Sequence, residues 1–388
     1  MTVAADPGVR SASDLIAAAR TLAADFATRA GDHDRDATFP FENFEALRAA
    51  GLLNLTVPRE YGGEAAGLDT VAHVLGAIGA GDPSTALVLS MQYVYHAMEA
   101  MRRAWPAGVY ERVARESVAG TALMNALRVE PELGTPARGG MPATTATRTA
   151  AGWRLTGHKI YATGSPILRY YLVFARTDEE TPRTGHFLVP SDAAGLRLEK
   201  TWNHMGLRAS GSDDLIIEGT ELPAEHALDL KTPQEWQQQQ DPQSSAWNTV
   251  IIAAMYNGVA KAARDWLTEY LHKRVPSNLG ASLATLPRHQ TVTGEMEVLL
   301  YTNGQLIHGL AQAADAGGTN LQGGIVKHAV TQNAIRVVEL ALELVGNPGL
   351  SRNNPLERHY RDVLCGRIHT PQSDMVLLNA GKAALGVK

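Results

Sequence analysis

Apolar positions along the chain follow helical spacing at first, strand-like alternation in the middle and helical spacing again, in longer runs, to the end. Leu15, Ile16, Ala19 and Leu22 form one stripe behind Ser13 and Asp14, either of which suits a helix N-cap. Phe44, Leu47 and Ala50 repeat the pattern, and Gly51 is placed to stop it. A turn-rich connector over residues 56–63 leads to a third stripe, Val71, Leu75 and Ile78. From residue 120 to 230 the character changes. Residues 153–161 alternate around Gly157, and residues 171–175, 187–189 and 215–218 are short apolar runs between Gly, Pro and Asp turns. That spacing predicts a compact antiparallel barrel or sandwich. Residues 245–273, 291–314 and 324–345 then read as long helices, apolar on more than one face, with the Gly346-Asn347-Pro348-Gly349 run ending the last. Such faces predict a bundle that meets further helices or further subunits. Residues 233–243, rich in Gln and Pro, read as a linker.

The expectation is an α+β multidomain chain: a helical domain over residues 1–119, an antiparallel β-barrel or sandwich over 120–232 and a four-helix-bundle domain over 233–388. A length of 388 residues suits several cores rather than one. The net charge of −5 gives no electrostatic footprint for nucleic acid or an anionic membrane, so neither is an expected partner. The first 14 residues lack the basic-then-apolar order of a secretory signal. The most apolar windows, 85–91 and 249–255, fall short of the roughly 20 residues a membrane helix needs. Cys365 is the only cysteine, which removes disulfides and cysteine-built metal sites and fits a reducing cytoplasm. No metal site is expected.

Six segments carry the chemistry. They are Val57-Pro58-Arg59-Glu60-Tyr61-Gly62-Gly63, Glu130-Pro131-Glu132-Leu133-Gly134-Thr135, the run 157–164 ending Tyr161-Ala162-Thr163-Gly164, the turn Met205-Gly206-Leu207-Arg208-Ala209-Ser210, the run 345–349, and Arg361-Asp362 leading to His369-Thr370-Pro371. In this order they resemble the motifs of the acyl-CoA dehydrogenase superfamily. The resemblance implies a flavin between the β domain and the bundle, FAD or FMN, in a homotetramer whose neighbouring subunit holds part of the cofactor. It implies that Thr163 hydrogen-bonds the flavin near N5, that Tyr161 covers a ring face and that Thr135 faces the cofactor from the opposite loop. Arg274 would meet a subunit mate's pyrophosphate, with Gln290 in the pair that follows it. Gly346, Asn347 and Gly349 would line the nucleotide half, and Gln372 the adenine end. Asn347 stands where a second glycine is usual, and Glu343 where a glutamine is.

One replacement redirects the chemistry. Family members keep a catalytic glutamate at the position of Thr370 or at that of Asn248, and neither residue here can take a proton from carbon. Thr249 likewise replaces an arginine near the acyl-CoA. The same fold serves two-component monooxygenases, which use a C4a-hydroperoxyflavin, receive reduced flavin from a separate reductase and need donors in a dry pocket instead of a base. His369, beside Thr370, is the expected donor, and His96 on the apolar stretch 87–98 a second. The resemblance thus implies a flavin-dependent oxidoreductase, a monooxygenase acting on a small molecule. The alternative is an acyl-CoA dehydrogenase with a displaced base, for which Glu235 and Glu357 are unplaced acids.

Overall fold

A computed structural model describes residues 10–120, 122–136, 140–238 and 241–387. Six helices come first: α1 (Ala12–Ala27), α2 (Ala30–Asp36), α3 (Phe41–Ala49), α4 (Leu68–Gly81), α5 (Pro83–Arg102) and α6 (Ala107–Val118). Eight strands follow: β1 (Met124–Leu127), β2 (Thr145–Thr149), β3 (Gly152–Ala162), β4 (Tyr170–Thr177), β5 (Thr184–Pro190), β6 (Leu196–Glu199), β7 (Asp213–Pro223) and β8 (Ala227–Lys231). The rest is helical: α7 (Pro233–Gln238), α8 (Pro242–Lys273), α9 (Pro287–Asp315), α10 (Gly323–Val345), α11 (Leu356–Leu364) and α12 (Ser373–Leu385). Local chemistry sets several starts. Ser11 and Asp14 form a capping box on α1, two residues before the Ser13 read from the sequence, and Asp82 caps α5 ahead of Pro83.

The sheet corrects the antiparallel expectation. Its order is β6-β7-β3-β2-β4-β5-β8 with β1 added on β4, and both β1–β4 and β2–β4 run parallel. A parallel pair needs a crossover, and the β2–β3 hairpin with its following turn provides it between Leu127 and Tyr170. Residues 233–238 are also helical rather than linker: the Trp236 indole donates to Thr184 Oγ1 at 2.9 Å, docking α7 on the sheet.

The bundle is built round α8, whose Val250, Ile251, Ala253, Met255, Tyr256, Val259, Ala260 and Ala263 are fully buried. Helix α4 crosses it at backbone contact. A Cβ on Gly258 would lie 2.2 Å from the Gly76 carbonyl oxygen, so only glycine permits the crossing. No helix among the described residues is long and apolar enough to cross a membrane.

Candidate active site

Strand β3 ends in an irregularity that aims two side chains. Its pairing with β7 shifts register between Lys159 and Ala162, where Tyr161 takes φ 60°. Tyr161 is thereby turned out, 46% exposed, with its ring edge against Trp202 and His204. Two residues on, the Thr163 hydroxyl bonds Ser212 Oγ at 2.9 Å, and Ser212 bonds the buried Ser210 at 2.8 Å. Thr163 receiving a proton from Ser212 keeps its own O–H for a ligand. Below it, Asn125 on β1 donates to the Thr163 carbonyl at 3.0 Å, while its buried Oδ1 has no partner. A buried acceptor left empty is unfavourable unless a ligand N–H fills it.

Helix α11 fastens the 205–210 turn to the C-terminal domain. Asp362 accepts the Leu207 N–H at 2.7 Å, and Arg361 donates to the Met205 carbonyl at 2.7 Å. A Cβ on Gly206 would sit 2.4 Å from the Arg361 carbonyl oxygen, a second place where only glycine fits. The chain then leaves α11 for His369. Tyr256 of α8 meets His369 Nδ1 at 2.8 Å, and burial, aided by the charge on Lys327, pushes this imidazole down to about 4. Burial keeps the Tyr256 phenol protonated. With Tyr256 donating to Nδ1, the neutral ring carries its proton on Nε2. Lys327 of α10, 1% exposed, donates to the carbonyls of Gly366, His369 and Pro371 at 2.8, 2.7 and 3.2 Å. Burial pushes this ammonium down to about 8. Neither Lys327 nor Tyr256 was singled out from sequence, since each sits in a helical stripe far from its partner.

A cleft of about 600 Å³ opens between α5, the sheet and the start of α8. Tyr95, Trp105, Phe174 and Trp236 give it aromatic walls, and Arg128 lies 4.8 Å over the Phe174 ring. Two acids line it. Glu99 accepts the N–H groups of Ala104 and Trp105 at 3.2 and 2.9 Å, burial raising its carboxyl, and Asp229 pairs with Lys231. Asn248 also lines the cleft, its amide donating to the Ser244 carbonyl at 2.9 Å. Tyr256 lies two turns further, about 12 Å along α8.

The sequence candidates divide. Thr163 and the 205–212 turn are joined by hydrogen bonds, and α11 holds that turn next to the segment of His369 and the exposed Thr370. Half-buried Thr135 sits on the loop that Glu130 pins. Gln372 starts α12, its amide 3.5 Å from the Ile368 carbonyl. Arg274, Gln290, Gly346 and Asn347 are exposed on the bundle, with Gly349 buried beside them, and Gly346 at φ 69° has open space where a Cβ would be. Glu343 pairs with Arg336, Glu357 with Arg361, and Glu235 takes the Thr232 N–H at 2.7 Å; none of the three lines the cleft.

His96, expected as a second donor, stands apart from the other candidates. It is fully buried, its ring nitrogens bonded to Tyr110 at 3.2 Å and Ser117 at 3.0 Å, and it lines no part of the cleft. Burial pushes it down to about 3 against an ordinary 6.5. The unfolded chain therefore binds a proton below pH 6.5 that the fold refuses until near pH 3, and stability falls as pH drops through that window. His96→Gln keeps polar partners without that titration. Urea melts at pH 6.5 and 5 should show a fall in unfolding free energy about 2 kcal/mol smaller in the variant than in the native protein.

The acyl-CoA dehydrogenase N-terminal, middle and C-terminal domain families match residues 11–109, 129–220 and 246–385. The Bacillus subtilis protein YdbM, which carries an acyl-CoA dehydrogenase name, is 33% identical over 362 residues, 92% of each chain. The amino sugar nitrososynthase DnmZ of Streptomyces peucetius is 29% identical, covering 88% of this chain and 85% of that one. The X-ray structure of KijD3 with FMN and dTDP-3-amino-2,3,6-trideoxy-4-keto-3-methyl-D-glucose superposes with a TM-score of 0.85 at 28% identity, covering 100% and 96% of the two chains. The chain belongs to the acyl-CoA dehydrogenase superfamily of flavin-dependent oxidoreductases. Its residues fit the cofactor: a hydroxyl donor at Thr163, an empty buried acceptor at Asn125 and an outward ring at Tyr161 are what a planar heterocycle with both N–H and bare nitrogen would use.

Proposed function

We propose that the chain is a flavin monooxygenase that hydroxylates a small organic substrate or oxidises its nitrogen or sulfur. The observation that carries the reading is the state of the acids. By the resemblance, Thr370 and Asn248 stand at the family's two places for a base, and the carboxylates that line the cleft, Glu99 and Asp229, are already committed to protein partners. In the family the resemblance implies, proton abstraction from carbon falls to a free carboxylate. Bound and reduced, the flavin supplies the electron pair that activates dioxygen. Thr163 would hold the ring through its hydroxyl, and His369 would offer Nε2–H as a donor fixed by Tyr256. One oxygen atom goes to the substrate and the other leaves as water. Apolar walls from Trp105, Phe174 and Trp236 position the substrate and keep water from competing.

The nitrososynthase relatives support an amine as the oxidised group. In this reading a separate reductase delivers reduced flavin. Four chains would associate through the bundle, where Tyr301, Leu350, Leu377 and Leu378 are 70, 71, 57 and 52% exposed. The name of the Bacillus relative favours a second reading, dehydrogenation of an acyl thioester.

Anaerobic mixing with a panel of acyl-CoAs separates the two, because bleaching of bound flavin would rule out the oxygenase. With reduced flavin, labelled dioxygen and a dTDP-3-amino sugar, label should appear in the product. His369→Ala should cut substrate oxidation by about 100-fold and divert oxygen to hydrogen peroxide. Flavin titration should remain near native, and unchanged product yield would remove His369 from the reaction.

A further inference from the structure

A second cavity, about 710 Å³, runs between α2, the 204–208 loop and the start of α11. Most of its charge is balanced within its own wall. Arg361 forks onto Asp34 at 2.6 and 3.0 Å and onto Glu357 at 2.8 and 3.0 Å. Arg35 takes Asp32 at 2.8 Å, and Arg208 spends donors on the carbonyls of Asp34 and His204 at 2.7 and 3.2 Å. Two guanidiniums remain. Arg352 is exposed at the rim, and Arg358 is only 7% exposed, with no hydrogen-bond partner at Nε.

Asp362, one turn beyond Arg358 on α11, is an acid that feels its charge. Its Oδ1 is taken by the Leu207 N–H at 2.7 Å, and burial holds its carboxyl up at about 7, so near neutrality it offers only part of a counter-charge. A guanidinium withdrawn from water without a full partner is strongly unfavourable, and such an arrangement persists where a ligand completes it. Gly31 on α2 packs close to this guanidinium, since a Cβ there would lie 3.3 Å from Arg358 Nη1.

We infer that this groove is an anion site in which the phosphoryl group of a small molecule seats on Arg358 and Arg352. A planar fork matches two phosphate oxygens, and the volume suits a ligand of nucleotide size. His204 lines the same groove and stacks on Trp202 at 3.8 Å, placing a flat aromatic surface beside the cations. Neither Thr163 nor His369 lines it, although His204 in its wall also meets the Tyr161 ring.

Calorimetric titration of the full-length, flavin-loaded protein in phosphate-free buffer tests this, with inorganic phosphate, pyrophosphate and ADP as titrants. Saturable one-to-one binding is expected. ADP binding more tightly than pyrophosphate would assign a nucleotide, and equal affinities a bare phosphoryl group. Arg358→Gln should weaken binding about tenfold and Arg352→Ala about threefold, with the flavin spectrum unchanged. At equal concentration, each titrant that binds should raise the native melting temperature more than that of Arg358→Gln, a contrast that a purely structural arginine would not produce. The inference is overturned if no titrant saturates, if both variants bind like the native protein, or if the titrants displace flavin. Should Arg358→Gln fail to fold, native-like affinity in the exposed Arg352→Ala variant overturns it alone.

Discussion

Lys327→Met should lower the unfolding free energy by about 3–5 kcal/mol and abolish activity with it. The ammonium is enclosed, and its three hydrogen bonds all run to main-chain carbonyls of the segment 366–371. Methionine fills much of the volume but donates nothing. Three carbonyl oxygens, that of Gly366 buried and those of His369 and Pro371 partly so, then lose a charged donor together, and a charge-assisted bond contributes more than a neutral one. The segment so released carries His369, whose contact to Tyr256 depends on where the backbone sits. Urea denaturation should show the lower midpoint without a change of slope. Activity should fall at least as far as in His369→Ala. A loss under about 1 kcal/mol would mean that the segment is held by its packing alone.

How much of this was legible beforehand depended on the range over which each feature is encoded. The long helices α8, α9 and α10 were visible because apolar periodicity is local, and their ends fell within a few residues of the expected ones. The turns at Thr163 and at residues 205–210 were visible through Gly, Ser and Asp at fixed offsets. Strands β1, β2, β6 and β8 were not, being 4 or 5 residues long, too short for alternation to stand out. The parallel pairing of β1 and β2 with β4 depends on a partner tens of residues away. Lys327 failed for the same reason: a lysine in an apolar helix reads as solvated unless the carbonyls that receive it, about 40 residues on, are known. His96 shows the converse. Its helix was read correctly, but whether its ring faced the cleft or Tyr110 and Ser117 was settled only by how α6 packs on α5.

Glu130→Ala should be the other severe change, at about 4 kcal/mol, and the reason is a second buried ion. Glu130 and Lys159 are 2 and 0% exposed, with Nζ 2.6 Å from Oε1. The same carboxylate accepts the Ala143 N–H at 2.6 Å, the Thr144 N–H at 3.0 Å and the Thr144 hydroxyl at 2.6 Å. Burial alone would raise its carboxyl, but Lys159 and Thr144 outweigh that and hold it below the usual range; burial pushes Lys159 down to about 8 even so. Removing the acid leaves an ammonium in a dry interior and frees the loop that carries Thr135. Flavin affinity should therefore drop together with stability. Removing the lysine as well takes away the stranded charge, so Glu130→Ala/Lys159→Met should be more stable than Glu130→Ala alone, although two backbone N–H groups still lack their acceptor. A double variant whose loss equals the sum of the single losses would show that the two charges do not depend on each other, and that Glu130 acts only as an acceptor for the 143–144 backbone.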